Sequence, residues 1–334
     1  MAEIGVGVIG TGIMGGDHAR ALATSIKGAT LVALADPDES RISALAAATG
    51  ARHVHANPYE LIGNPEVQAV LIASPDATHE SLVLACMGAG KPVLCEKPLA
   101  PTVEGCLRIV DAEAALGRRL IQVGFMRRFD PGYVAMRSAL DSGQFGAPLL
   151  IHCVHRNADS PPSFDSSMLI SNSAVHEIDI IRWLLDDEVD SVSVFAPRRQ
   201  NAGALVDPQL LLMRMRSGII VDIEVFVNAR YGYDVRAELV CEAGTVTLAP
   251  KPPVTTRSTG CETLAFAEDW RAHFAAAYRN QLQAWIGSLE TGIPVGASAW
   301  DGYAATATAA AGLTAFQGGG SIDVQLQSRP SFYG

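Results

Sequence analysis

The run IGVGVIGTGIMG, Ile4 to Gly15, places a GxGxxG pattern directly after an apolar strand and ahead of a stretch that can begin a helix. In that setting Gly10 permits a tight turn, Gly12 lets the backbone approach a pyrophosphate, and Gly15 lets helix and strand pack closely. Ile13 and Met14 fill the variable positions, and the helix start would turn N–H groups and the positive dipole end toward negative charge. A glycine-rich turn also serves plain strand-to-helix corners, so the surrounding pattern decides how the motif is read.

That pattern is an alternation. After the first strand come ATLVALAD (29–36), VQAVLIAS (67–74), KPVLCEK (91–97) and RLIQVGF (119–125), each separated by a helical stretch. Continuous Val, Ile and Leu runs mark strands covered on both faces, and helical spacers imply right-handed crossovers within a parallel sheet. The expectation is a doubly wound α/β domain over residues 1–123.

Asp36 ends the second strand about 20 residues beyond the glycines, where an acid can accept hydrogen bonds from both ribose hydroxyls of a dinucleotide. A carboxylate there repels a 2′-phosphate and no arginine follows directly, so NAD is favoured over NADP; a turn or cap role before Pro37 is the other reading. Ligands of open α/β sheets lie beyond the carboxyl ends of the strands. The tails SPDATHE, with Ser74, Pro75 and His79, and EKPLA, with Glu96 and Lys97, should therefore face one crevice. A lysine ending a buried strand calls for a partner or a substrate unless it snorkels to the surface. Lys97 is thus a candidate for chemistry, whereas His79 and Ser74 fit loop-shaping or cofactor contact.

Beyond residue 124 the texture changes. PLLIHCVHRN, DSVSVFAP, QLLLMRMRSGIIVDIEVFVN and YDVRAELVCEAGTVTLAP read as longer, partly alternating strands with hairpin breaks at RSG and EAG. Residues 124–334 are expected to form an α+β domain with a mostly antiparallel sheet. Helical patterns near 268–290 and 301–316 close the chain, and GALVDP and KPPVTTRSTG read as loops.

Within NSAVHEID, a helix over 172–185 would put Asn172, His176 and Asp179 on one face, with Val175, Ile178, Ile181, Leu184 and Leu185 covering much of the rest. Glu177 and Arg182 project elsewhere as solvated or paired charges. In the first helical turn His176 would stay neutral and able to accept a proton, as a general base must; a satisfied structural histidine is the alternative. Asn172 can be an N-cap or an orienting group. Oxidation of a carbinol carbon needs such a base and a cation or donor for the oxygen, roles that His176 and Lys97 can fill. Arg127 or Arg128, His155 and Asn157, and Tyr231 or Tyr233 are candidate donors for a substrate with many hydroxyls.

The bulk properties narrow the partners. A chain of 334 residues, 49% hydrophobic, exceeds what one core usually organises. The formal net charge of −10 gives no footprint for nucleic acid or an anionic membrane. The six cysteines form no CxxC pair, no basic-then-apolar leader pattern opens the sequence, and no apolar run reaches about 18 residues. A reduced, cytoplasmic setting is expected. A metal site at His152, Cys153 and His155 is disfavoured, because strand alternation sends His152 to the opposite face from the other two.

Taken together, GVIGTGIMG, LCEKPLA, GFMRRFDPGY, AVHEIDIIRWLL, YGYDVRAELV, AWDGYAA and RPSFY resemble the Gfo/Idh/MocA family of NAD(P)-dependent sugar and polyol oxidoreductases over essentially the whole chain. The later segments are similar to its inositol dehydrogenase branch. The resemblance implies NAD as cofactor, Lys97 and His176 as catalytic residues, and Arg127, Asn157 and Tyr233 at the polyol, with Met126 and His155 beside them. It also implies oxidation of myo-inositol to scyllo-inosose and a homotetramer built through the open sheet of the second domain. The family usually carries aspartate four residues before the histidine. Here Asn172 can orient the ring but cannot stabilise imidazolium as a carboxylate would, which keeps open a related scyllo-inositol, amino-cyclitol or pyranose dehydrogenase, or an NAD-sensing protein without turnover.

Overall fold

The computed structural model describes residues 3–197, 205–249 and 254–333. Part of GALVDP and the start of KPPVTTRSTG lie outside these residues. The chain divides into two compact units: residues 1–126, 278–306 and 327–334 form the first, and residues 127–277 and 307–326 the second. The sequence suggests one crossing near residue 123; the chain instead also crosses at 277/278, 306/307 and 326/327.

The first unit holds β1 (Ile4–Ile9), α1 (Ile13–Thr24), β2 (Ala29–Ala35), α2 (Glu39–Thr49), β3 (His53–His55), α3 (Pro58–Gly63), β4 (Ala69–Ile72), α4 (His79–Gly88), β5 (Val93–Cys95), α5 (Val103–Leu116) and β6 (Ile121–Val123). The strands lie in the order β3-β2-β1-β4-β5-β6 and every pairing is parallel, the arrangement of a dinucleotide-binding doubly wound sheet. Val6, Val8, Leu34, Leu71 and Leu94 are each 0% exposed, which accounts for the unbroken apolar runs. β3 adds a short edge strand to the five that the sequence marks.

In the second unit, α6 (Pro131–Asp141) leads to β7 (Pro148–Arg156), a π-helical turn at Leu169–Ala174, α7 (Val175–Leu185), β8 (Val189–Phe195), β9 (Gln209–Met215), β10 (Ile220–Phe226), β11 (Asp234–Cys241) and β12 (Gly244–Thr247). The sheet order is β12-β11-β7-β10-β9-β8-β15, where β15 is Ser321–Asp323. β7 and β10 run parallel, and the other pairings among the described residues of this sheet are antiparallel. Alternation is clean in β9, where Leu211, Met213 and Met215 are buried while Leu210 and Leu212 face out.

KPPVTTRSTG is not simply a loop. Thr255–Ser258 (β13) and Cys261–Leu264 (β14) pair antiparallel across Thr259 and Gly260, both at positive φ, so β-branched threonines flank a turn that supplies the twist a tight hairpin needs. The helical pattern near 268–290 resolves into α8 (Trp270–His273) and α9 (Ala275–Thr291), and α10 spans Ala299–Gly318. Leu282, Trp285 and Ile286 of α9 join Leu22, Leu31, Leu34 and Leu94 in the core of the first unit. No helix among the described residues is long and apolar enough to cross a membrane. All six cysteines are free thiols, and burial pushes Cys86 up to about 12 and Cys106 to about 11, as expected of packing residues.

Candidate active site

In the first unit, the turn after β1 is built by steric necessity. A Cβ on Gly15 would lie 1.9 Å from the Gly10 carbonyl oxygen and one on Gly10 2.5 Å from that of Ala73, whereas a Cβ on Gly12 would meet nothing within 4 Å. Gly12 thus borders open space at the start of α1, where no side chain caps the helix and Ile13 is 63% exposed. A helix N-terminus with close backbone access is what a pyrophosphate requires, so these residues fit a dinucleotide.

Asp36, 6% exposed, closes the cradle. Its Oδ2 accepts from Thr11 N (2.7 Å) and Thr11 Oγ1 (2.8 Å), and its Oδ1 accepts from Asp38 N (2.9 Å). Burial opposes its charge, but the backbone donors, the Thr11 hydroxyl and Arg41 outweigh it, so the carboxyl sits below its ordinary range. Arg41 Nη1 lies 3.6 Å from Asp36 Oδ2. The sequence reading missed both partners: Thr11 stands inside the glycine motif, and Arg41 reaches back from α2.

The next strand tails are tied to each other. Ser74 Oγ and Thr78 Oγ1 are 2.6 Å apart, Pro75 precedes a short 3-10 turn, and the His79 ring bridges the carbonyl oxygens of Ser74 (2.9 Å) and Pro98 (2.7 Å). His79 therefore holds together two loops beyond the carboxyl ends of β4 and β5. Glu96 is engaged with His18 (2.8 Å), and half-buried Lys97 follows it directly after β5.

The second unit assembles a polar cluster on a different plan from the one the helical wheel suggests. The helix does not begin at Asn172: this residue lies inside the π-turn, and Ala174 occupies the N-cap position of α7. The N-cap role for Asn172 is thereby removed. Helical turns continue upstream of His176, so the positive end of the dipole lies nearer Leu169 and the first-turn argument for a neutral ring loses its basis.

Glu177 is not a solvated charge. It is 1% exposed, accepts a hydrogen bond from Arg127 Nη1, and accepts another from His155 Nδ1 (2.9 Å to Oε2). Burial pushes its carboxyl up, but Arg127 and then His155 outweigh this and hold it below the usual value. The His155 ring lies 6.5 Å from that of His176 and 5.8 Å from that of Tyr233, centroid to centroid. The Arg127 guanidinium also sits over the Phe274 ring at 5.3 Å. Arg127, His155, His176 and Tyr233 thus come together around Glu177.

The open choices separate. Tyr233 is 3% exposed and burial pushes its phenol up to about 12, whereas Tyr231, 42% exposed, donates to Asp234 and accepts from Arg156. Arg128 grips Asp179 through Nε (3.0 Å) and Nη2 (2.6 Å), so that carboxylate is committed to a bidentate pair. Arg182, 5% exposed, is likewise paired with Glu188 (2.6 Å) rather than solvated. The buried Asn157 Oδ1 accepts no hydrogen bond from the described residues, an acceptor of the kind a substrate hydroxyl can satisfy. Met126, the last residue of the first unit's opening segment, is 1% exposed. In β7, Cys153 and His155 are buried while His152 points the other way and pairs with Asp222 (2.5 Å).

A parallel sheet ending in a glycine cradle and a buried acid after its second strand, followed by a second unit rich in buried polar groups, defines an NAD-binding oxidoreductase of the Rossmann type. Residues 4–125 match the model of the oxidoreductase family with NAD-binding Rossmann fold, and residues 133–247 match the GFO/IDH/MocA C-terminal domain. The chain belongs to the Gfo/Idh/MocA family. It is 53% identical over 332 residues to inositol 2-dehydrogenase 1 of Saccharopolyspora erythraea, covering 98% of each chain. Among solved structures it is similar to myo-inositol dehydrogenase from Lactobacillus casei in complex with NAD(H) and myo-inositol, with TM-score 0.95 and 36% identity over 99% of this chain and 100% of that one. The scyllo-inositol dehydrogenase of the same organism, with bound NAD(H) and scyllo-inositol, gives TM-score 0.89 and 26% identity over 96% and 99%.

Proposed function

We propose that this chain is an NAD-dependent inositol dehydrogenase that oxidises a secondary alcohol of the ring, with myo-inositol to scyllo-inosose as its principal reaction. NAD held by the first unit would supply the hydride acceptor for the carbinol carbon. His176 accepts the hydroxyl proton, and the Lys97 ammonium donates to the oxygen as it gains negative charge. The first unit supplies Lys97 and the second His176, so this reading calls for both to act on one carbinol. Asn172 orients the imidazole or a substrate hydroxyl through neutral hydrogen bonds. Met126, His155, Asn157 and Tyr233 surround the polyol, and Arg127, committed to Glu177, fixes that wall.

The observation that carries the reading is the full-length likeness to a solved enzyme holding NAD(H) and myo-inositol, at 36% identity and TM-score 0.95. The likeness to a scyllo-inositol dehydrogenase, together with Asn172, supports scyllo-inositol as the second substrate to test. Initial rates across inositol isomers and pyranoses, each with NAD and NADP, decide between them. Fastest turnover of myo-inositol with NAD is expected, and absence of turnover on every cyclitol would overturn the assignment.

The reading extends to assembly and setting. The outer face of the second unit's sheet exposes Phe195 (54%), Leu210 (40%) and Leu212 (41%), and pairs Leu212 with Asp222 and Asp222 with His152 in register. An apolar strip edged by charge suits burial between copies of this chain, in a homotetramer. Free, mostly buried thiols suit a reducing cytoplasm.

A further inference from the structure

His155, on β7, and Glu177, on α7, form a buried dyad in the second unit, with side chains 4% and 1% exposed. His155 Nδ1 lies 2.9 Å from Glu177 Oε2 and 3.1 Å from Oε1. Burial opposes the charge on Glu177, but Arg127 and His155 outweigh it, so the group is a carboxylate and can only accept. Arg127 Nη2 lies 3.2 Å from the same ring nitrogen, and a guanidinium can only donate. One nitrogen cannot serve both, and the nearer contacts, to a charged acceptor, decide between them. Nδ1 carries the proton.

Arg127 Nη1 also donates to Glu177, so one positive charge already meets the carboxylate. A second, on the ring, would stand beside the guanidinium with no acid of its own. The dyad therefore holds a neutral imidazole, in which the nitrogen opposite the N–H is a bare acceptor. That nitrogen, Nε2, is open: it has no hydrogen-bond partner among the described residues, and the enclosed polar atoms that lack one do not include it. The rings of His176 and Tyr233 lie 6.5 and 5.8 Å from that of His155.

We propose, on the reading that His155 borders the polyol, that Glu177 is a positioning residue: it fixes the Nδ1–H tautomer of His155, so that Nε2 accepts a hydrogen bond from a substrate hydroxyl and selects for a free hydroxyl at that ring position. The contact thereby gains a direction. A hydroxyl can donate to Nε2, whereas an ether oxygen or a fluorine cannot, so the site favours free cyclitols over their O-methyl and deoxyfluoro forms.

Two measurements test this. Solid-state nitrogen NMR of the full-length, histidine-labelled protein with NADH bound, near neutral pH, reads which ring nitrogens carry protons, and His155→Asn assigns the signal by removing it. A protonated Nδ1 and a bare Nε2 are expected for His155. In Glu177→Gln the amide can donate as well as accept, so the ring should shift toward the Nε2–H tautomer. Kinetics with singly fluorinated deoxy-myo-inositols then read the contact itself. At least one analogue should lose about tenfold or more in kcat/KM relative to myo-inositol. That gap should shrink to about twofold or less in His155→Leu, where fluorine keeps its electronic effect but the acceptor is gone. If thermal melts show that Glu177→Gln does not fold, the wild-type spectrum and His155→Leu carry the test. A proton on Nε2 of wild-type His155, or a fluorine gap undiminished by His155→Leu at every position, would overturn the proposal. Absence of turnover on every cyclitol would overturn the functional reading and the substrate contact with it, and the spectrum, taken without inositol, separates that failure from a failure of the tautomer.

Discussion

Arg127 and Glu177 face one another inside the second unit as a hydrogen-bonded ion pair, each side chain 1% exposed. Removing one partner leaves the other as an uncompensated buried charge. Glu177→Gln is therefore expected to lower unfolding stability by about 3–5 kcal/mol, whereas an Arg127→Met, Glu177→Leu double substitution costs less than the two single changes summed. Urea denaturation of wild type, Glu177→Gln, Arg127→Met, Glu177→Leu and the double variant measures this. Because the folded-state pKa of Glu177 is depressed, the wild-type advantage is fully present above the ordinary glutamate range and is lost as pH falls below it.

Glu113 has the opposite sign. It is 0% exposed, and burial outweighs its backbone donors, so its folded pKa lies above the ordinary glutamate value of 4.5. The folded state then holds this proton more tightly than the unfolded one, and its stabilising contribution is lost as pH rises from about 4.5 through the folded pKa. Thermal melts from pH 4.5 upward should show wild type losing stability relative to Glu113→Gln across that window. A constant difference between the two would contradict this.

Asp36 should decide the cofactor. Removing its charge with Asp36→Ser leaves Arg41, now 3.6 Å from the carboxylate, to receive a 2′-phosphate. The NADP/NAD ratio of kcat/KM is expected to rise by roughly tenfold or more, the equivalent of about 1.4 kcal/mol. Steady-state kinetics with both nucleotides provide the check.

Much of the first unit is legible in the sequence because strands buried on both faces must be apolar throughout, and because glycine spacing and the Asp36 interval follow directly from backbone geometry. The edge strand His53–His55 escapes notice, being three residues with a histidine at each end. Leu282, Trp285, Ile286 and Leu289 mark one apolar face on α9, yet helical spacing does not say which sheet receives it. The same limit applies at the active-site cluster. A helical wheel leaves Glu177 as either a solvated or a paired charge because it cannot see Arg127, 50 residues upstream. A 3.6-residue period likewise cannot reveal the π-turn that carries Asn172.

Asn172→Asp introduces a carboxylate four residues before His176. If Asn172 orients the imidazole as proposed, a carboxylate in its place favours the protonated ring, so the acid limb of the kcat/KM profile should move to higher pH and kcat should increase. A pH–rate profile for the two proteins tests this, and superimposable profiles would show that residue 172 does not act on the base.

Inositol oxidation is proposed to rest on Lys97 and His176. The most direct measurement is the initial rate of NADH formation from myo-inositol by wild type, Lys97→Met and His176→Ala, alongside an NADH-binding titration of each. Wild type should turn over, and each variant should lose about 10²-fold or more in kcat while binding NADH as before. A fully active Lys97→Met or His176→Ala protein would contradict the account.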